Sequence, residues 1–283
     1  MCDYKDFKYF NTLNDYFVRY LFSDKGSEVI LLDFINSIMI DSNMKTFRSL
    51  EILTPFNYKE SYQDKETIVD VKCITHNGSV VIIEIQLQGN SRFPERILYY
   101  WASNYSKLLK QGEKYDVLTP VISINLLNFN LNDDDNIHSC YMIYETNNKK
   151  LLTDHLQIHI IEIKKFKHNL LQYDLNCWLK FFTVKDNREE IMSEIVKEKP
   201  IMEEVQKKYN NFIKDRLMMS EYDKRQTYLY GNQIMLEEER KLGIKEGIEQ
   251  EKYSLAKNMK NKNMDIELIS ELTGLSIDDI KSL

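Results

Sequence analysis

Residues 68–88 read IVDVKCITHNGSVVIIEIQLQ, two apolar runs folded about His76-Asn77-Gly78. The spacing predicts a three-residue hairpin loop in which Gly78 takes the left-handed position and forms a bulge. That loop sets Thr75 opposite Ser79, and counting back sets Asp70 opposite Glu84. Directly opposed side chains share a face, with Cβ atoms about 4.5–5.5 Å apart. Alternation along the strand puts Gln86 on the face of Glu84. A two-residue Asn-Gly turn would instead shift the register by one and send Asp70 and Glu84 to opposite faces.

Polar residues in a hairpin can simply face solvent from a sheet edge. The neighbours oppose that reading: Ile68, Val69, Val71, Val80, Val81, Ile82, Ile83, Ile85 and Leu87 are apolar on both faces. A strand buried on both faces leaves no wet side for Glu84. Two opposed carboxylates repel unless a cation or a proton lies between them. Mg²⁺ suits such a site, because it binds through one or two carboxylates, keeps several waters and coordinates substrate phosphate; Mn²⁺ or Ca²⁺ are the possible substitutes. Gln86, two residues along, is placed to position an attacking water. Together these are the requirements of metal-assisted phosphodiester hydrolysis.

Outward from the hairpin, apolar spacing predicts helices over 12–22 and 27–40, with Ser27 as N-cap, and a strand over 45–56 ended by Pro55. A helix begins at Asn90-Ser91, tolerates Pro94 in its first turn and ends at Gly112. Strands follow over 117–129, 138–144 and 156–163, with the acidic run 133–135 as a solvated turn. Beyond Lys164 the pattern is helical, over 170–184, 188–197, 201–219 and 222–252. The segment 265–283 carries its own caps around Gly274 and Ser276 and reads as a docking or self-association unit.

The 283 residues are 43% apolar, 12% aromatic and 29% charged, so the chain is expected to bury a full core. No apolar run approaches the roughly 18–20 residues that span a bilayer. Charges interrupt the first residues, MCDYKDFKYFN, where a secretory segment would be apolar. The four cysteines, Cys2, Cys73, Cys140 and Cys177, show no CxxC pairing, which fits a reducing cytoplasm rather than a zinc or disulfide framework. A net charge of −6 opposes a general nucleic-acid coat protein and leaves room for a local basic surface.

The helix after the hairpin offers such a surface. Arg92, Arg96, Lys107, Lys110 and Lys114 fall within about 60° of arc on a continuous helix, and Phe93, Ile97, Trp101, Tyr105 and Leu108 take the opposite side. The stripe would track a phosphate backbone, with Arg96 as the bidentate clamp; the alternative is a solvated lysine-rich face. The i,i+4 histidines His155 and His159 lack a third ligand, and structural roles are expected for all five histidines.

Asp70, the hairpin and Glu84-Ile85-Gln86 resemble the PD-(D/E)XK nuclease signature in the variant with Gln for Lys. The wider frame resembles the Rpn group of recombination-promoting, transposase-like nucleases. The segment Asp15-Tyr16-Phe17-Val18-Arg19-Tyr20-Leu21-Phe22 is similar to its DxxFKxxF pattern, with Val18 for Phe and Arg19 for Lys. Arg96-Ile97-Leu98-Tyr99-Tyr100 is similar to its RxxYY helix. Gln111-Gly112-Glu113-Lys114-Tyr115 and Leu118-Thr119-Pro120-Val121 follow its QGExYxxLxPV segment, and Thr273-Gly274-Leu275-Ser276 with Ile280 its TGLSxxxI. The resemblance implies an α-β-β-β-α-β core that cleaves DNA with a divalent metal. It makes Asp70 and Glu84 the metal ligands, the Ile85 carbonyl a further ligand, and Gln86 the occupant of the lysine position. An amide there supplies hydrogen bonds but no cation. Related nucleases draw an accessory acid from the first helix, which nominates Asp15, with Arg19 one turn on as its partner.

The expected protein is thus a mixed α+β, restriction-endonuclease-like core over 1–165, a helical extension over 166–252 and a small helical unit over 253–283. Its expected function is a cytoplasmic, metal-dependent DNA endonuclease tied to recombination or transposition, without a membrane partner. Homo-oligomers would form through the helical C-terminal half. The alternative is a nuclease-derived DNA-binding or protein-interaction module without turnover.

Overall fold

A computed structural model describes residues 10–54, 71–89, 92–166, 173–185 and 188–283. A six-stranded sheet has the order β1-β2-β3-β4-β6-β5. Its strands are β1 (Leu50–Ile52), β2 (Val71–Thr75), β3 (Val80–Gln86), β4 (Val121–Leu127), β5 (His138–Tyr144) and β6 (Leu151–Glu162). β3, β4 and β6 are mutually parallel, whereas β1–β2, β2–β3 and β5–β6 are antiparallel. The mixed α+β architecture is the one expected.

The hairpin turn decides the register as the sequence argued. Thr75 N–H donates to the Ser79 carbonyl at 2.9 Å, and Gly78 sits at φ +84°, where a side chain would be strained. The ladder then pairs Ile74 with Val80, Cys73 with Val81, Lys72 with Ile82 and Val71 with Ile83. Asp70 lies outside the described residues, one position beyond this ladder.

Alternation splits the side chains of the sheet between two layers. On one face Val71, Cys73, Val81, Ile83, Ile85, Ile122, Ile124 and Leu126 join α1 (Asp15–Ser23) and α2 (Glu28–Asp41) in one core. The helices α4 (Tyr173–Thr183), α5 (Arg188–Glu198) and α6 (Ile201–Lys214) bury Trp178, Phe181, Ile195, Val205 and Phe212 in that same core. The residues after 165 therefore complete the sheet's packing up to α6. On the other face lies α3 (Phe93–Ser106). Phe93 and Ile97 pack on Leu127, Leu156, Ile158 and Ile160, and Trp101, Tyr105 and Leu108 pack on Val80, Ile82 and Val121. The apolar side read from the sequence for this helix is the side it buries. Trp101 Nε1 donates to the Val121 carbonyl at 2.9 Å and fixes α3 along the sheet.

Several boundaries differ from expectation. β1 is three residues long; of the strand expected over 45–56, residues 55 and 56 lie outside the described residues. α3 stops at Ser106 rather than Gly112. The Ser106 hydroxyl donates back to the Ser103 carbonyl, and the Glu113 carboxylate takes the Lys110 amide at 2.6 Å, so the following residues form turns. The helix break expected near residue 220 falls at Asp215, whose carboxylate accepts the amides of Leu217 and Met218 at 2.9 and 3.1 Å. α7 then runs from Arg216 to Asn261.

Two compact units result, Met1–Arg225 and Gln226–Leu283. The second closes a small core of Ala256, Ile269, Leu275 and Ile280. Asp265 caps α8 (Ile266–Thr273), Gly274 at φ +70° ends it, and the Ser276 hydroxyl caps α9 (Ile277–Ser282), as the sequence suggested. Among the described residues no helix is long and apolar enough to cross a membrane.

Candidate active site

Glu84 lies on β3 with Val80 and Ile82, on the α3 side of the sheet. It is only 8% exposed. Burial pushes its carboxyl up to about 7, against the opposing pull of the Arg96 guanidinium and the Gln86 hydrogen bond. Gln86, two residues on, donates from Nε2 to Glu84 Oε1 at 3.0 Å. Glu84 and Gln86 thus share one face, as strand alternation predicts, and Asp70 is outside the described residues.

Arg96 approaches the same oxygen from α3, with Nη2 3.7 Å from Glu84 Oε1. That distance is a charge contact and too long for a hydrogen bond. Nε and Nη2 have no hydrogen-bond partner among the described residues although both atoms are buried. The guanidinium rests over the rings of Phe93 and Tyr100, at 5.2 and 6.0 Å. Phe93 is braced in turn by Phe129, edge-on at 5.5 Å. A Cβ on Gly89 would come within 2.7 Å of the Phe129 ring, so this close approach requires glycine. The Tyr100 hydroxyl is raised by burial first and by Glu84 next.

Asn125 is the register partner of Glu84 on parallel β4 and is fully buried. Its Nδ2 donates to Ser123 Oγ and to the His159 carbonyl at 3.0 and 3.1 Å. Its Oδ1 has no hydrogen-bond partner among the described residues.

These groups fit a hard divalent cation. A buried carboxylate that its neighbours leave under-compensated is the donor such an ion takes, and Asn125 adds an unpartnered buried oxygen on the next strand. Among the described residues no cluster of three or more His, Cys, Asp and Glu is arranged to hold a metal; Asp70 is not among those residues.

Other candidates are placed elsewhere. Asp15 stands on α1, across the sheet from Glu84, and is gripped by Arg225 through Nε at 2.8 and 2.9 Å and through Nη2. It is therefore a structural ion-pair residue and does not join the site, and Arg19 belongs to the same helix. The continuous basic stripe is corrected by the early end of α3. Arg92 caps the helix start and pairs with Glu95 at 3.1 Å, Lys107 caps its end, and Lys110 and Lys114 are exposed in the turns beyond. Ile85 buries its side chain in the opposite core, which leaves only its backbone carbonyl for a role at the site.

Three of the described histidines make structural contacts. His155 Nδ1 meets the Tyr105 hydroxyl at 2.9 Å. His138 Nδ1 lies 2.7 Å from the Asp41 carboxylate and its Nε2 3.0 Å from His159 Nδ1, tying the end of α2 to the β5–β6 hairpin. Burial, then His138, holds His159 down to about 3.

Sequence reasoning passed over Lys72, Tyr100 and Asn125. Alternation from Asp70 would have placed Lys72 on this face, whereas Asn125 needed the parallel pairing of β3 with β4.

No curated protein and no solved structure matches the chain. A family model described as PD-(D/E)XK nuclease family transposase matches residues 12–239. The match covers most of the 283 residues and includes the whole sheet with Glu84, Gln86 and Arg96. By that extent, and by a mixed sheet carrying an acidic hairpin beneath a helix, the chain belongs to the PD-(D/E)XK nuclease family transposases.

Proposed function

We propose that this protein is a metal-dependent DNA endonuclease of the Rpn type, active in recombination or transposition in the cytoplasm. The observation that carries the reading is the convergence of Gln86 and Arg96 on one oxygen of buried Glu84. Asp70, Glu84 and the Ile85 carbonyl would hold the cation, Mg²⁺ first and Mn²⁺ or Ca²⁺ as alternatives. When bound, such a cation polarises a phosphoryl oxygen and lowers the pKa of a coordinated water. Gln86 orients that water through its amide. Arg96 supplies the positive charge that an amide lacks, because its buried Nε and Nη2 are free to meet a phosphate oxygen. Lys107, Lys110 and Lys114 meet the DNA backbone beyond the end of α3. The nuclease role falls to the stretch 1–165, and homo-oligomers form through the helical C-terminal half.

A DNA-binding module without turnover is the second reading, favoured by one observation: the Gln86 amide is taken up by Glu84. Incubation of supercoiled plasmid with Mg²⁺, Mn²⁺ or Ca²⁺, beside Asp70→Ala and Glu84→Ala, separates the two. Metal-dependent nicking by the wild type that both variants lose supports the enzyme. Binding without nicking, or nicking equal in all three proteins, removes it.

A further inference from the structure

The second compact unit carries a length of helix that its own fold leaves bare. Every residue of α7 from Glu238 to Glu251 is exposed. Leu242, Ile244 and Ile248 are among them, at 60, 54 and 51%. Gly243 and Gly247 lie in the same stretch with open space where a Cβ would stand, and each weakens a helix relative to alanine. Helices in proteins draw most of their stability from packing an apolar face. This stretch has such a face and nothing of its own unit against it.

Spacing defines the face. Tyr230, Ile234, Glu237, Lys241, Ile244 and Ile248 follow one another by alternate steps of four and three. Those steps keep them within about 80° of arc on a helix and make the seam of a two-stranded coiled coil. The order apolar, apolar, acid, base, apolar, apolar is its own complement when reversed. Laid antiparallel about Glu239, Tyr230 meets Ile248 of a second copy, Ile234 meets Ile244, and Glu237 meets Lys241. Laid parallel in register, Glu237 meets Glu237 and Lys241 meets Lys241, a repulsion that the antiparallel pair avoids. A polar layer within an apolar seam fixes register and direction.

We propose that α7 pairs with α7 of a second copy of this chain in an antiparallel coiled coil whose two-fold axis is level with Glu239. The inference rests on the oligomer reading above and gives that reading a surface and a direction.

The test is disulfide formation in the full chain under mild oxidation, beside sedimentation of the reduced protein. Ile234→Cys and Ile244→Cys are prepared singly and also mixed before oxidation. Like positions lie ten residues apart in the proposed register, about 15 Å along the axis, so only the mixture can bridge. The mixture is expected to give a cross-linked heterodimer above the wild-type background, and each single variant none. The reduced wild type is expected to sediment as a dimer and Ile244→Glu as a monomer. Glu237→Lys should weaken the dimer at least about tenfold by creating like-charge layers, and Glu237→Lys/Lys241→Glu should restore it. Cross-linking within either single variant means a parallel pair and overturns the proposal. Cross-linking of Ile244→Cys with Ile248→Cys means a seam shifted by one heptad and overturns it as well. A dimer untouched by Ile244→Glu overturns this surface and leaves the oligomer reading standing. A wild-type monomer overturns both.

Discussion

The two faces of the sheet treat charge in opposite ways. On the α1–α2 side several charges are paired, although Arg188 keeps its buried Nη1 without a hydrogen bond among the described residues. Arg225 holds Asp15, Lys199 reaches Asp33, Asp174 and Ser37 at 2.9, 3.0 and 2.8 Å, and Lys208 meets Asp24 at 2.7 Å. On the α3 side, Arg96 leaves two buried nitrogens without hydrogen bonds among the described residues, and Glu84 is buried with too little compensation. A satisfied network holds helices on a sheet. An unsatisfied one costs stability in the free protein and is repaid only when a ligand of the missing charge arrives.

The largest expected effect tests the functional face. Arg96→Ala should reduce metal-dependent cleavage on the order of 10²–10³-fold, the cost of removing one electrostatic stabiliser from a reacting centre. Gln86→Lys in that background returns a cation to the site and should recover part of the loss. Single-turnover rates on plasmid measure both, and a full wild-type rate in Arg96→Ala would break the comparison at its centre.

The pH dependence comes next. Glu84 titrates near 7 in the folded chain against an ordinary 4.5. Between those values the folded protein keeps a proton that the unfolded chain has lost. The metal-free protein therefore loses stability as pH rises from about 4.5 through about 7, by on the order of 3 kcal/mol at most. Urea midpoints across that window should fall with pH, and Glu84→Gln should flatten the trend. Mn²⁺ affinity should rise about tenfold per pH unit up to about pH 6 and level off as pH passes about 7, since binding displaces that proton.

The structural face gives smaller effects on folding and none on chemistry. Lys199→Ala strands two partly exposed carboxylates and is expected to cost about 2 kcal/mol, less than a fully buried pair would. Asp15→Asn weakens a bidentate clamp and should cost about 1 kcal/mol. Cleavage per folded molecule should stay at the wild-type rate in both. A large loss of cleavage in Asp15→Asn with folding intact would move α1 back into the site.

Local chemistry explains what was legible. Gly78 needs a left-handed backbone, which fixed the loop, and the loop fixed which side chains share a face. Asp265, Gly274 and Ser276 are caps whose geometry involves only near neighbours, so the last two helices were readable. The end of α3 was not, because apolar periodicity continues to Leu108 while Glu113 folds the backbone back onto Lys110. Asp215 is a capping residue with a signal in the sequence, outweighed there by the helical pattern on both sides. The partner of Asp15 is 210 residues away, and no local pattern reports it.

By itself the sequence determined the acidic hairpin, the common face of Glu84 and Gln86, and the family to which the chain belongs. These depend on turn conformation and strand alternation, which act over a few residues. Only the tertiary structure decided that Arg96 approaches Glu84 and that Asn125 stands beside it. Each of those meetings depends on how a helix is laid across parallel strands, and that placement is set by side-chain packing between segments far apart in the chain.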